Sequence, residues 1–92
     1  MGEDERALVE FRKALELDTT SWQAHAGIAH VYEWRSEYQK AVAEYRLQVQ
    51  YSHKNPTAKA SLGYALARAG ATSEATQILH ADTKLIRAAI HF

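Results

Sequence analysis

Five histidines, His25, His30, His53, His80 and His91, are the side chains of this 92-residue sequence best suited to metal binding or proton transfer. Their spacing does not assemble a site. His25 and His30 are five residues apart, a poor spacing for one helical face. His53, His80 and His91 fall in separate segments, and no pair with acidic support shows ligand spacing. They read as ordinary surface or interface histidines. No serine has an identifiable histidine and acid partner for nucleophilic catalysis, and Gly2, Gly27, Gly63 and Gly70 are too isolated to form a phosphate-cradling loop. Glu3, Asp4 and Glu5 form an acidic start that suits the positive end of a helix better than catalysis. With no cysteine, thiolate sites and disulfides are excluded. The expectation is a chain with no catalytic residues, no metal site and no cofactor, hence not an enzyme.

Partners are bounded next. Eleven basic and eleven acidic residues cancel, and no basic stripe interleaved with aromatics is present, so nucleic acid is not an expected partner. No apolar run approaches the roughly 20 residues that span a bilayer, so a membrane is not expected either. The start, Met1 to Arg6, lacks an apolar signal core, which points to a cytoplasmic location unless a longer parent protein carries the segment elsewhere.

The elements that position these residues follow from an internal period. Ala7, Ala41 and Ala75 lie 34 residues apart, and Phe11, Tyr45 and Leu79 share that spacing four places later. The pairs Ile28 and Leu62, Ala29 and Gly63, Tyr32 and Leu66, and Ser36 and Gly70 fit the same frame. A frame built on Gly27 and Gly63 fails, because their spacing of 36 breaks the alanine register. The alanines, with Ala29 and Gly63, are small enough for helix backbones to approach closely. The large residues four places on fill the space between successive hairpins. Ser36 and Gly70 fall where one helix stops and the next begins, and Gly70 suits the left-handed conformation that ends a helix.

Helix signals agree with this frame. Thr20-Ser21-Trp22-Gln23 and Ser36-Glu37-Tyr38-Gln39 read as capping boxes, and Asn55-Pro56 places a capping residue before a proline at the first helical position. Helices are predicted near 4–17, 21–35, 37–51, 56–69 and 72–81. A stripe through Ile78, Leu79, Leu85, Ile86, Ala89 and Ile90 favours continuation of the last helix to about residue 91, the alternative being a separate helix capped by Asp82.

The chain resembles the tetratricopeptide repeat family, whose pattern is a Trp-Leu-Gly-Tyr series on a first helix, then Ala and Phe on a second, then Pro. The first-helix series here is His25, Ile28, Ala29, Tyr32, then Lys59, Leu62, Gly63, Leu66. The second-helix pairs are Ala7–Phe11, Ala41–Tyr45 and Ala75–Leu79, and Lys13-Ala14-Leu15-Glu16-Leu17-Asp18 looks like the end of such a repeat. Neither Trp22 nor Trp34 falls at the family's tryptophan place, and Thr19 and His53 replace its closing proline. The resemblance implies an all-α fold: about five helices in antiparallel hairpins, stacked as a right-handed solenoid, an α–α superhelix. It divides the single domain into 4–20, the second helix of an incomplete repeat, a full repeat over 21–54, and a full repeat over 55–92 with a C-terminal extension or capping helix.

In that family the first helix of each hairpin lines a concave groove. Carried onto this sequence, the groove places are Gln23, Ala26, Gly27, His30, Glu33 and Trp34, then Thr57, Ala60, Ser61, Tyr64, Ala67 and Arg68. His30 and Tyr64 are one repeat apart, as are Trp34 and Arg68, and an arginine can stack on an aromatic face. Trp, Tyr and Arg are frequent interface anchors. The bland alternative is that Trp34 covers a hairpin edge and Arg68 is a solvated charge. A carboxylate clamp of Lys, Asn and Arg, known in some members, is not expected, since Arg68 alone is cationic at these places. The resemblance thus implies a scaffold that binds a protein or peptide in the groove. The competing expectation is a self-assembly element. The opening helix lacks its first-helix neighbour, so Leu8, Phe11 and Leu15 leave one flank uncovered and the chain would be a fragment of a longer array or a homo-oligomer formed by stacking or helix exchange.

Overall fold

The computed structural model describes residues 2–79, all of whose regular elements are helices. In chain order they are α1 (Gly2–Leu17), α2 (Trp22–Trp34), α3 (Tyr38–Tyr51) and α4 (Pro56–Arg68), followed by α5 over 72–79. The predicted elements are present, with the described ends displaced by at most two residues, and the predicted end of the last helix at 81 lies outside the described residues. The stripe from Leu85 to Ile90, the choice at Asp82, the histidines His80 and His91 and the rest of the 55–92 segment past residue 79 lie outside the described residues.

Each start and stop has a local cause. α1 opens on Glu3, Asp4 and Glu5, whose charges suit its positive end. Asn55 caps α4 as its spacing predicts: its side chain accepts from the Thr57 and Ala58 N–H groups at 2.8 and 3.4 Å, with Pro56 just inside. The two other capping boxes need correction. Ser21, not Thr20, caps α2, accepting from Ala24 N at 3.3 Å, while Thr20 instead donates backbone and hydroxyl bonds to Asp18 Oδ1. At α3 the N-cap is Glu37, with no side-chain capping bond.

Ser36 ends α2 rather than starting α3. Its φ of 60° is left-handed, and Gly70 after α4 has φ 90°. At both places the chain closes the helix alike. Glu37 N donates to Tyr32 O at 2.8 Å and Ala71 N to Leu66 O at 2.9 Å, each beside a shorter loop, Ser36 N to Glu33 O and Gly70 N to Ala67 O. The 34-residue spacing therefore recurs as the same pattern of helix-closing hydrogen bonds. α3 closes with the same five-residue bond, Lys54 N to Val49 O at 2.9 Å, but with two left-handed residues in succession, His53 and Lys54. Proline, locked near a φ of about −65°, is incompatible with position 53.

Short connections make successive helices antiparallel, and α1 packs on α2, α2 on α3 and α3 on α4. Small residues let the backbones close up: Ala29, Ala41 and Ala65 have no exposed surface. Tyr45, Leu66 and Val31 are the largest fully buried side chains, each contributing about 1.5–3 kcal/mol by burial. Ala41 and Ala75 are both core residues of the α2–α5 cluster, whereas Ala7 is half-buried beside the α1–α2 cluster of Leu8, Ile28 and Val31. Phe11 and Leu15 pack against the same cluster.

The two glycines set 36 apart explain why their frame fails. A Cβ at Gly27 would stand 2.3 Å from the Phe11 ring of α1, and a Cβ at Gly63 would stand 2.7 Å from Leu79 of α5. Both admit a large side chain, but one from the preceding helix pair and one from the following. Gly27 therefore faces α1, not a groove. At the far end of α1, Arg35 donates to Asp4 at 3.4 Å and Glu5 at 2.6 Å, tying the start of α1 to the end of α2.

Candidate functional site

The last turn of α2 and the last turn of α4 meet over α3. Glu33, half-buried, receives Arg68 Nη1 of α4 on Oε2 at 2.6 Å. Its other oxygen, Oε1, accepts the hydroxyl hydrogen of Tyr45 of α3. The Tyr45 oxygen also lies 3.0 Å from His30 Nδ1, one turn earlier on α2, with the two rings edge to face at 5.7 Å. Three helices are thus joined by one carboxylate and one phenol.

Electrostatics fix the roles. Burial pushes the Tyr45 hydroxyl far above the ordinary phenol range, acceptance by Glu33 pushes it further, and nearby Arg68 only partly opposes this. The phenol therefore keeps its hydrogen at neutral pH and acts as the donor to Glu33. Arg68 and Glu33 neutralise one another, so the network carries no large net charge.

The structure brings His30, Glu33 and Arg68 into this network. The expected stacking of Arg68 with Trp34 does not describe its contact, because the guanidinium turns to the carboxylate instead. Trp34 remains 73% exposed and Tyr64 58% exposed. Gln23 and Thr57 are exposed near the other ends of α2 and α4, Ala26 and Ser61 are half-buried, and none joins the network. Gly27, Ala60 and Ala67 add no polar group.

Tyr45 is the participant that sequence reasoning missed, treating it as a core filler equivalent to Phe11 and Leu79. The available signal is its hydroxyl: at the two equivalent positions the side chain is purely apolar, and a buried tyrosine needs a partner for its O–H.

A second cluster corrects the reading of His25. It is only 7% exposed, not a surface histidine. Its Nδ1 lies 2.8 Å from Glu44 Oε1 and its Nε2 lies 3.3 Å from the Thr19 carbonyl, while its ring stacks on Tyr51 at 5.7 Å. This arrangement ties the α1–α2 turn to α3, which is a positioning task. Among the described residues, no group of three or more histidines and carboxylates is arranged to hold a metal ion, and no helix is long and apolar enough to cross a membrane. An open depression of about 600 Å³, lined by Arg46, Val49, Gln50, His53, Lys54 and Leu62, is separate from the His30–Arg68 network. Compared with protein-family models and with curated proteins, the chain finds no match.

Proposed function

We propose that this chain is a stack of tetratricopeptide-type hairpins that holds a peptide or protein partner along the face of α2 and α4. The observation that carries this reading is the pairing of exposed aromatics with an ordered polar network. Trp34 and Tyr64 are two of the four large apolar side chains left exposed among the described residues, and by helical spacing Trp34 lies one turn after His30 on α2 and Tyr64 one turn before Arg68 on α4. Exposed aromatic rings next to polar groups already held in place are what an interface needs, because less side-chain freedom is lost on binding.

The matching helix ends at Ser36 and Gly70 suit a stack of repeated hairpins, the right-handed solenoid of the proposed family. The partner is a protein segment. A second reading, a self-assembling element, is favoured by Val9 and Leu17, which are exposed on α1 at 46% and 91%. Around them α1 is charged, with Glu10 and Lys13 paired at 3.7 Å, which makes that flank a weaker interface than α2 and α4.

Titration of a Trp22→Phe chain with a peptide library, followed through Trp34 fluorescence, tests the proposal. The expected result is saturation at one peptide per chain, lost in a His30→Ala/Tyr64→Ala variant whose helicity is unchanged. Association that depends on chain concentration, with no peptide response, would favour self-assembly.

A further inference from the structure

We infer that His30 presents Nε2 on the α2–α4 face as a bare hydrogen-bond acceptor, and that with Arg68 it forms a subsite for the main chain of an uncharged, extended peptide. This rests on the binding reading above and names the chemistry of the partner at one point of it.

The hydrogen inventory leads to it. Tyr45 has one hydroxyl hydrogen, and Glu33, as a carboxylate, can only accept it. The Tyr45 oxygen is therefore an acceptor toward His30, and Nδ1 at 3.0 Å must carry the hydrogen. In a neutral imidazole only one nitrogen is protonated, so in that form of His30 Nε2 holds a free lone pair. The His30 side chain is 55% exposed, and no described residue bonds Nε2.

Arg68 stands on the same carboxylate. Its Nη1 is used by Glu33 Oε2, while His30 Nδ1 lies 3.6 Å from Oε1. A guanidinium has five N–H donors, and the remaining ones have no partner among the described residues. An acceptor and a donor thus flank one carboxylate. In an extended peptide the N–H and C=O of one residue point to the same side, as they do in a strand ladder. Nε2 fits the N–H and Arg68 the C=O. An acidic ligand fits poorly: the Arg68 charge is already answered by Glu33, and a carboxylate would meet the lone pair of Nε2.

Two measurements test this. Long-range nitrogen–proton NMR at about pH 8, above the ordinary imidazole range, should show His30 protonated at Nδ1 and bare at Nε2. Tyr45→Phe should shift the hydrogen toward Nε2. A native ring protonated at Nε2 overturns the inference. The second measurement starts from immobilised pools of uncharged peptides. The tightest binder is resynthesised with an N-methyl group at each residue in turn. Methylation at one residue should weaken binding about 10-fold in the native chain, with little change in His30→Ala, the scale of one lost hydrogen bond. Equal losses in both chains overturn the subsite. Pools with no binder, beside an Nδ1-protonated ring, overturn the binding reading and with it the assignment of Nε2 to a partner.

Discussion

The ring of Phe11 occupies the space that a side chain at Gly27 would need, its Cζ lying 2.3 Å from where that Cβ would stand. The contact joins α1 to α2 at the one helical glycine where a ring, not backbone, bars a methyl group.

Gly27→Ala should therefore destabilise the chain although alanine is the better helix former. Overpacking costs about 1–3 kcal/mol, more than the roughly 1 kcal/mol of helix propensity regained. Phe11→Leu in the same chain should recover part of the loss, a non-additivity that urea denaturation of both single variants and the pair would measure.

Ser36 and Gly70 make the opposite case. Ser36 is held at φ 60°, a region that strains a residue with a Cβ. Ser36→Gly should raise stability by up to about 1 kcal/mol, and Gly70→Ala should lower it by about 1 kcal/mol. Thermal unfolding of both variants should move in opposite directions. A lower midpoint for Ser36→Gly would mean that the serine side chain has a stabilising contact outweighing its backbone strain.

Acid should weaken the fold through two carboxylates. Arg46 donates to both oxygens of Glu74 at 2.8 and 2.9 Å, joining α3 to α5, and holds that carboxyl below its ordinary 4.5. Bonds from Thr20 hold Asp18 below 3.8. A depressed folded value means that the stabilisation is complete above the unfolded value and is lost as pH falls through the folded one. Stability should thus decline as pH drops below 4.5, and Glu74→Gln should lower stability at neutral pH while flattening that decline. Both groups are exposed, so the effect should shrink in high salt. Urea midpoints across the pH range, at low and high salt, would check both signs.

Arg35 supplies a fourth test. Arg35→Gln removes the contacts to Asp4 and Glu5, which are solvent-screened surface pairs and so should matter locally rather than for the whole fold. Amide exchange should quicken in the first turns of α1 and stay unchanged in α3. Uniform quickening along the chain would mean that α1 does not open separately.

Helix positions are legible in the sequence because their causes are local. Asn55-Pro56 caps a helix wherever it stands, and the recurring alanines with large residues four places later expose the buried stripe. The helix ends at Ser36 and at Thr20-Ser21 are less legible. A serine serves equally as a cap or as a left-handed stop, and only the path of the following chain decides between them. The site was half visible. The resemblance to tetratricopeptide repeats implies one face for His30, Glu33 and Arg68, but the bonds that join them to one another and to Tyr45 depend on how closely α2, α3 and α4 approach. The resemblance puts Gly27 on the groove face, and the ring that fills its place instead comes from sixteen residues earlier, on α1.

α1 keeps one residue buried, Leu8, while α2, α3 and α4 each keep at least four. Local opening should begin where the fewest apolar contacts must be broken. When α1 lifts, Phe11 leaves a vacant notch at Gly27 with the shape of an aromatic ring. The free energy of that first detachment then sets how readily an intruding helix, carrying a ring of its own, could take the place of the native one.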